Sequence, residues 1–169
     1  MGEIYRKTGS QDRRLTVIAT KDELPLVTWD GPIIITGVGA LNVMRALMSL
    51  SRSTPILNVG YCGSGKIPIG TSVEIAKCDL FHPNTQYDEP SFVLGDPAWK
   101  VSRMEARRPI TCHTITDFGG DPDLEDSVFD MELAFILGMG FTDVQAIKVV
   151  SDNCNYKEYE ETIKKRKNG

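Results

Sequence analysis

In Val144-Gln145-Ala146-Ile147-Lys148-Val149-Val150-Ser151-Asp152-Asn153, the β-rich run Val144 to Val150 ends with an acid in Ser-Asp-Asn. Shortly before it, Phe129-Asp130-Met131-Glu132 sets two carboxylates where an apolar helix, Leu133 to Met139, should begin. A helix leaving one edge of a sheet and a strand returning to it is an α/β pattern, and it brings Glu132 and Asp152 near each other. In open α/β sheets that carboxyl edge is where ligands bind. Two acids there can divide the work, one holding hydroxyls and one moving a proton. The same spacing also fits two helix caps, with Asp152 starting the helix after it.

Working outward, Leu15 to Ala19 reads as a first strand, and Thr20-Lys21-Asp22-Glu23 as a turn at its end. Pro32 to Ile35 is expected as a second, buried strand running into Thr36-Gly37-Val38-Gly39. Ala40 to Leu50 follows with helical periodicity in Leu41, Met44, Leu47 and Met48. Ile56 to Val59 is a third strand, ending in the glycine turn Gly60-Tyr61-Cys62-Gly63-Ser64-Gly65, and Val73 to Phe81 a fourth. The signal weakens from His82 to Arg108, where Ser91 to Leu94 offers a short strand. Ile110 to Thr116 alternates as a further strand, Asp117 to Asp126 is a loop, and Tyr156 to Lys167 is a charged helix. The expected architecture is a three-layer α/β/α sandwich with a mixed, largely parallel central sheet. Residues 1–14 are expected as a flexible arm and residues 15–169 as a single domain.

Composition narrows the function. The chain has 169 residues, long enough to bury a core without staples. A net charge of −4 argues against nucleic acid or an anionic membrane as partner, since either calls for a basic face. Cys62, Cys78, Cys112 and Cys154 lie far apart with no CxxC pair, so no metal site is expected. No apolar stretch reaches the ~18 residues of a membrane span. No signal-peptide pattern is visible, and a cytoplasmic location with unpaired thiols is the expectation.

The glycine turn lacks the Lys-Ser/Thr of a P-loop and is a weak dinucleotide fingerprint. Its glycines mark backbone that approaches something closely or takes positive φ. Taken in order, however, seven segments resemble the nucleoside phosphorylase and nucleosidase family, particularly methylthioadenosine/S-adenosylhomocysteine nucleosidases and futalosine hydrolases. They are Thr20 to Leu24, Ile33 to Gly39 with Asn42, Asn58 to Gly65, Ile69 to Ala76, Thr114 to Phe118, Phe129 to Phe135 and Val149 to Asn153.

The resemblance implies hydrolysis of the N-glycosidic bond of a purine nucleoside, with no cofactor. It implies that Asp152 protonates the purine at N7 and that Glu23 activates water. Glu132 would hold ribose hydroxyls, with Met131 packing beneath the sugar. Phe118 would stack on the base and the backbone after it, at Gly119, would read the base edge. Cys62 and Gly63 would line the ribose and the nucleophile. A small-molecule nucleoside as partner and a homo-oligomer, a homodimer in particular, are also implied. These parts suit the chemistry, because cleavage develops positive charge on the sugar and negative charge on the base.

Departures from the family matter as much. Asn58 stands where a phosphorylase would be expected to carry an arginine, and Tyr61 where a serine or threonine is usual. The glycine-proline phosphate loop near the N-terminus is absent, and water is therefore the expected nucleophile. The chain is also shorter than is typical of the family. Phosphate-dependent cleavage and a non-catalytic nucleoside-binding domain are the alternative readings. Other residues read more plainly. His82 belongs to a loop, His113 to a strand surface, and the acids between Asp117 and Asp126 to a solvated loop without EF-hand spacing. Trp29 and Trp99 read as packing, and Lys164-Lys165-Arg166-Lys167 as a solvated helix end.

Overall fold

The computed structural model describes residues 4–6, 14–82, 90–94, 99–101 and 109–168. Its strands are β1 Ile4–Arg6, β2 Leu15–Ile18, β3 Ile33–Ile35, β4 Ile56–Gly63, β5 Ser72–Leu80, β6 Ser91–Val93, β7 Trp99–Val101, β8 Ile110–Thr114, β9 Ser127–Asp130 and β10 Val144–Asp152. The α-helices are α1 Ala40–Leu47, α2 Leu133–Gly138 and α3 Tyr156–Lys167, and a 3-10 helix spans Lys21–Leu26.

The α/β class and the mixed sheet are as expected, but the sheet does not lie open between helix layers. Strand β4 pairs β10 in parallel, β10 pairs β5 antiparallel, and β5 pairs β8 in parallel. Strand β8 then pairs β9 in parallel, and β9 returns antiparallel to β4. These five strands close into a ring, with β2 and β3 extending it from β4 and β6 from β5. Closure removes two sheet edges that an open sheet would have to protect.

Every residue of β4 and of β10 is buried. Their near-continuous apolar runs are what strands covered on both faces require. On one face Ile56, Cys62, Val144, Ala146 and Val150 pack with Val43 and Leu47 of α1 and with Leu133, Ile136 and Leu137 of α2. On the other, Leu57, Val59, Tyr61, Ile147 and Val149 pack with Leu26 of the 3-10 helix and Ile163 of α3. The helix α3 starts at Asn155, whose side chain accepts from Lys157 N and Glu158 N.

Several expectations are corrected. Strand β3 is not buried: Ile33 and Ile35 are exposed because β3 is the outer strand of its edge. The segment read as a glycine turn is strand through Gly63, and its glycines serve close approach rather than positive φ. A β-carbon on Gly60 would meet the Glu23 carboxylate, one on Gly63 the Asp152 carboxylate, and one on Gly65 the backbone of Pro122. Ser127–Asp130 is a strand, whereas the sequence shows only the helix start after it. Helix α1 forms where expected, yet Leu41, Met44 and Met48 face outward. Of residues 1–14, expected as a loose arm, 1–3 and 7–13 lie outside the described residues, and Ile4–Arg6 pairs with Trp99–Val101. Among the described residues no helix is long and apolar enough to cross a membrane.

Candidate active site

The register of β10 on β4 is regular from Val144↔Ile56 to Val150↔Cys62, then shifts before Asp152↔Gly63. An irregularity of that kind re-aims the side chains beside it. It leaves Asp152 at the end of β10, over Gly63, at one wall of a cavity of about 440 Å³. All eight residues singled out in the sequence line this cavity: Glu23, Cys62, Gly63, Phe118, Gly119, Met131, Glu132 and Asp152.

Asp152 is held from two sides. Ser151 Oγ donates to Oδ2 at 2.7 Å and Asn155 N to Oδ1 at 3.1 Å. Burial raises its pKa against those two hydrogen bonds and a third from the Cys154 backbone. Helix α3 is capped by Asn155 rather than by Asp152.

Glu23 is buried although it sits in a short 3-10 helix. Its Oε1 accepts from Ala19 N at 2.9 Å and Thr20 N at 3.1 Å, and its Oε2 from Tyr61 N at 2.8 Å. Burial raises its pKa, opposed first by the nearby charge of Lys148 and then by those three N–H groups.

Glu132 occupies the N-cap position of α2 without capping it. The cap bond comes from Asp130, whose Oδ2 accepts from Leu133 N at 2.9 Å. Glu132 Oε2 accepts from Met131 N at 2.9 Å. Burial, with the neighbouring charge of Asp130 added, pushes Glu132 up to about 8.

Two residues the sequence reading passed over shape this wall. Lys148 is fully buried and pairs with Asp130 at 3.0 Å. Thr114 Oγ1 donates to Asp130 Oδ1 at 2.6 Å and accepts from Ala134 N at 2.9 Å. Burial disfavours charge on both ions, but Lys148 holds Asp130 below its ordinary pKa and Asp130 holds Lys148 above its own. The visible signal was a lone lysine inside an apolar strand, Ala146-Ile147-Lys148-Val149, which burial permits only with a counter-ion.

Aromatic rings close the far side. Phe118 lies 5.2 Å from Tyr156 and 5.7 Å from Tyr159 between ring centres. Helix α3, which carries both tyrosines, is tied to the helix of Glu23 by Lys167–Asp22 at 2.9 Å. Its basic end is therefore not wholly solvated: Arg166 lies over the Tyr61 ring at 5.2 Å. His113 is likewise more than surface. It bonds Asp79 at 2.6 Å and Ser127 at 3.1 Å and packs on Phe129, a cavity residue.

The cavity's lining residues include five acids, Asp22, Glu23, Asp130, Glu132 and Asp152, and no lysine or arginine. Such a wall offers an anionic ligand no basic side chain to pair with. Among the described residues no group of three His, Cys, Asp or Glu is placed to hold a metal ion.

No family model and no curated protein matches the sequence. Solved structures do match. An aspartate-to-asparagine variant of the Chlamydia trachomatis methylthioadenosine/S-adenosylhomocysteine nucleosidase, bound to MTA, has a TM-score of 0.68 at 17% identity. That match covers 90% of this chain and 89% of the other. The S-adenosylhomocysteine nucleosidase of Streptococcus pyogenes, in complex with 5-methylthiotubericidin, gives 0.65 at 15% identity over 92% and 91%. The futalosine hydrolase of Helicobacter pylori gives 0.64 at 12% identity over 90% and 91%. The resemblance carried by the seven sequence segments thus reappears in three dimensions, and the chain has the fold of these nucleosidases.

Proposed function

We propose that the chain hydrolyses the N-glycosidic bond of a purine nucleoside of the methylthioadenosine or S-adenosylhomocysteine type. The observation that carries the reading is the convergence of Asp152, Glu23, Glu132 and the Phe118 ring on one cavity. Asp152, whose pKa burial raises, protonates the purine at N7 and turns the base into a leaving group. Phe118 stacks on the base, and the Gly119 backbone meets its edge. Glu132 holds the ribose hydroxyls, with Met131 beneath the sugar and Cys62 and Gly63 along it. Glu23 takes a proton from water as it attacks the anomeric carbon. The flanking acids also favour the positive charge that develops on the sugar.

Water is favoured over phosphate by the same wall. With five acids and no basic residue lining it, the cavity gives a phosphate nothing to pair with. Asn58 lies outside the lining, and its amide donates to Val17 O at 3.0 Å. Release of free base in phosphate-free buffer tests the reading. A chain that binds adenine and nucleoside without turnover would instead be a nucleoside-binding domain.

We also propose a homodimer through the outward face of α1. Leu41, Met44 and Met48 are exposed there and border a groove shared with Phe135 and Met139. Adjacent apolar side chains of this size on one face mark an association surface.

A further inference from the structure

The cavity wall holds more acid than it has charge to balance. Glu23, Asp130 and Glu132 are all buried, and the cation within their reach is Lys148, itself 2% exposed. Ionising all three acids would leave two negative charges uncompensated at buried positions, which burial penalises heavily.

The distribution of donors decides which acid gives way. Asp130 receives Lys148 Nζ, Thr114 Oγ1 and Leu133 N. Glu23 receives three backbone N–H groups. Glu132 receives Met131 N. The other titratable neighbours do not alter the count. Asp152 lines the same cavity from the end of β10, with its own donors from Ser151, Asn155 and the Cys154 backbone. Cys62 of β4 and Cys112 of β8 are kept as thiols by burial.

We propose that Asp130 is a positioning residue that takes up the charge of Lys148, leaving Glu132 without a cation of its own and protonated at neutral pH. Burial and the neighbouring negative charge of Asp130 act on Glu132 in that same direction. The consequence for ligands rests on the hydrolase reading. A protonated Glu132 both donates to and accepts from a sugar hydroxyl, whereas the ionised form only accepts, with charge assistance. The ratio of nucleoside to free-adenine affinity therefore rises as pH rises through the Glu132 titration.

The charge assignment itself is tested without turnover, by a ¹³C NMR titration of side-chain carboxyls, with Glu132 identified by its loss in Glu132→Gln. The expected midpoint for Glu132 in the parent chain is neutral or above. In Asp130→Asn, Lys148 turns to the remaining acids and the midpoint falls by about one pH unit or more. A Glu132 midpoint in the ordinary carboxylate range in the parent overturns the proposal, as does an unchanged midpoint in folded Asp130→Asn. If that variant does not fold, the parent midpoint alone decides. A chain that releases no base would still give the Glu132 titration, so this failure and failure of the hydrolase reading are separate results.

Discussion

Asp152 and Gly63 meet across the pairing of β10 with β4: Asp152 Oδ1 stands 2.8 Å from the point where a β-carbon on residue 63 would lie. The glycine is what lets the acid reach the cavity. In Gly63→Ala the methyl group must push that carboxylate away, because the other close neighbours, at 3.3 Å, are backbone atoms of Cys154. Displacing a catalytic group by about 1 Å can cost ~10²-fold in rate. Gly63→Ala is therefore expected to lose base release by up to that factor. Steady-state kinetics beside a circular-dichroism melt check this, and unchanged kcat in the folded variant counts against the assignment.

Asp152→Asn removes the proton and leaves the shape. Nucleoside binding should persist while base release falls ~10²–10⁴-fold, the usual worth of general acid catalysis. Calorimetric binding of a nucleoside with single-turnover kinetics distinguishes this from a binding defect. Activity within a few-fold of the parent removes Asp152 from the mechanism.

Glu23 is predicted to show a double effect. A glutamine at this position has one accepting oxygen for N–H groups that now address both carboxylate oxygens. At least one N–H then faces the amide nitrogen, at a cost of about 1–3 kcal/mol. Glu23→Gln should thus lower the melting temperature and abolish hydrolysis together, while adenine binding survives. Retained hydrolysis in a destabilised variant would leave Glu23 with a structural role alone.

Glu132 gives stability a pH dependence of defined sign. Its pKa is raised from 4.5 to about 8 on folding. The unfolded chain therefore releases that proton first, and the contribution is complete below pH 4.5 and lost as pH rises toward 8. Glu132→Gln cannot lose it. Its melting temperature relative to the parent should improve steadily between pH 5 and pH 8. A difference independent of pH would place the Glu132 pKa in the ordinary range.

The exposed face of α1 predicts the oligomeric state. Leu41→Glu combined with Met48→Glu should convert a dimer to a monomer in light scattering, with the fold intact, since both side chains point outward. A parent chain that is already monomeric at high concentration contradicts the homodimer.

What the sequence revealed and what it hid follow one division. Local signals were legible: the apolar runs of β4 and β10, the helix after Glu132, and acids at strand ends. All eight candidate residues came to one cavity because strand and helix ends converge at a carboxyl edge. Ring closure was not legible, since the β9–β4 pairing rests on Gly63↔Phe129, far apart in the chain. Nor was β9 itself, only four residues long and running straight into the helix signal. Lys148 was missed for a related reason. Its meaning depends on Asp130 and Thr114, which other strands bring to it. The apolar stripe of α1 misled in the opposite sense, because periodicity marks a buried face without saying what buries it.

Base release by water is proposed for the cavity of Asp152, Glu23 and Glu132. Product analysis of a methylthioadenosine-type substrate in phosphate-free buffer, with Asp152→Asn as control, tests it most directly. The parent chain is expected to release free adenine and the free 5′-substituted ribose, unchanged when phosphate is added, and the variant little of either. A sugar 1-phosphate formed only with phosphate present, or no product under either condition, would contradict it.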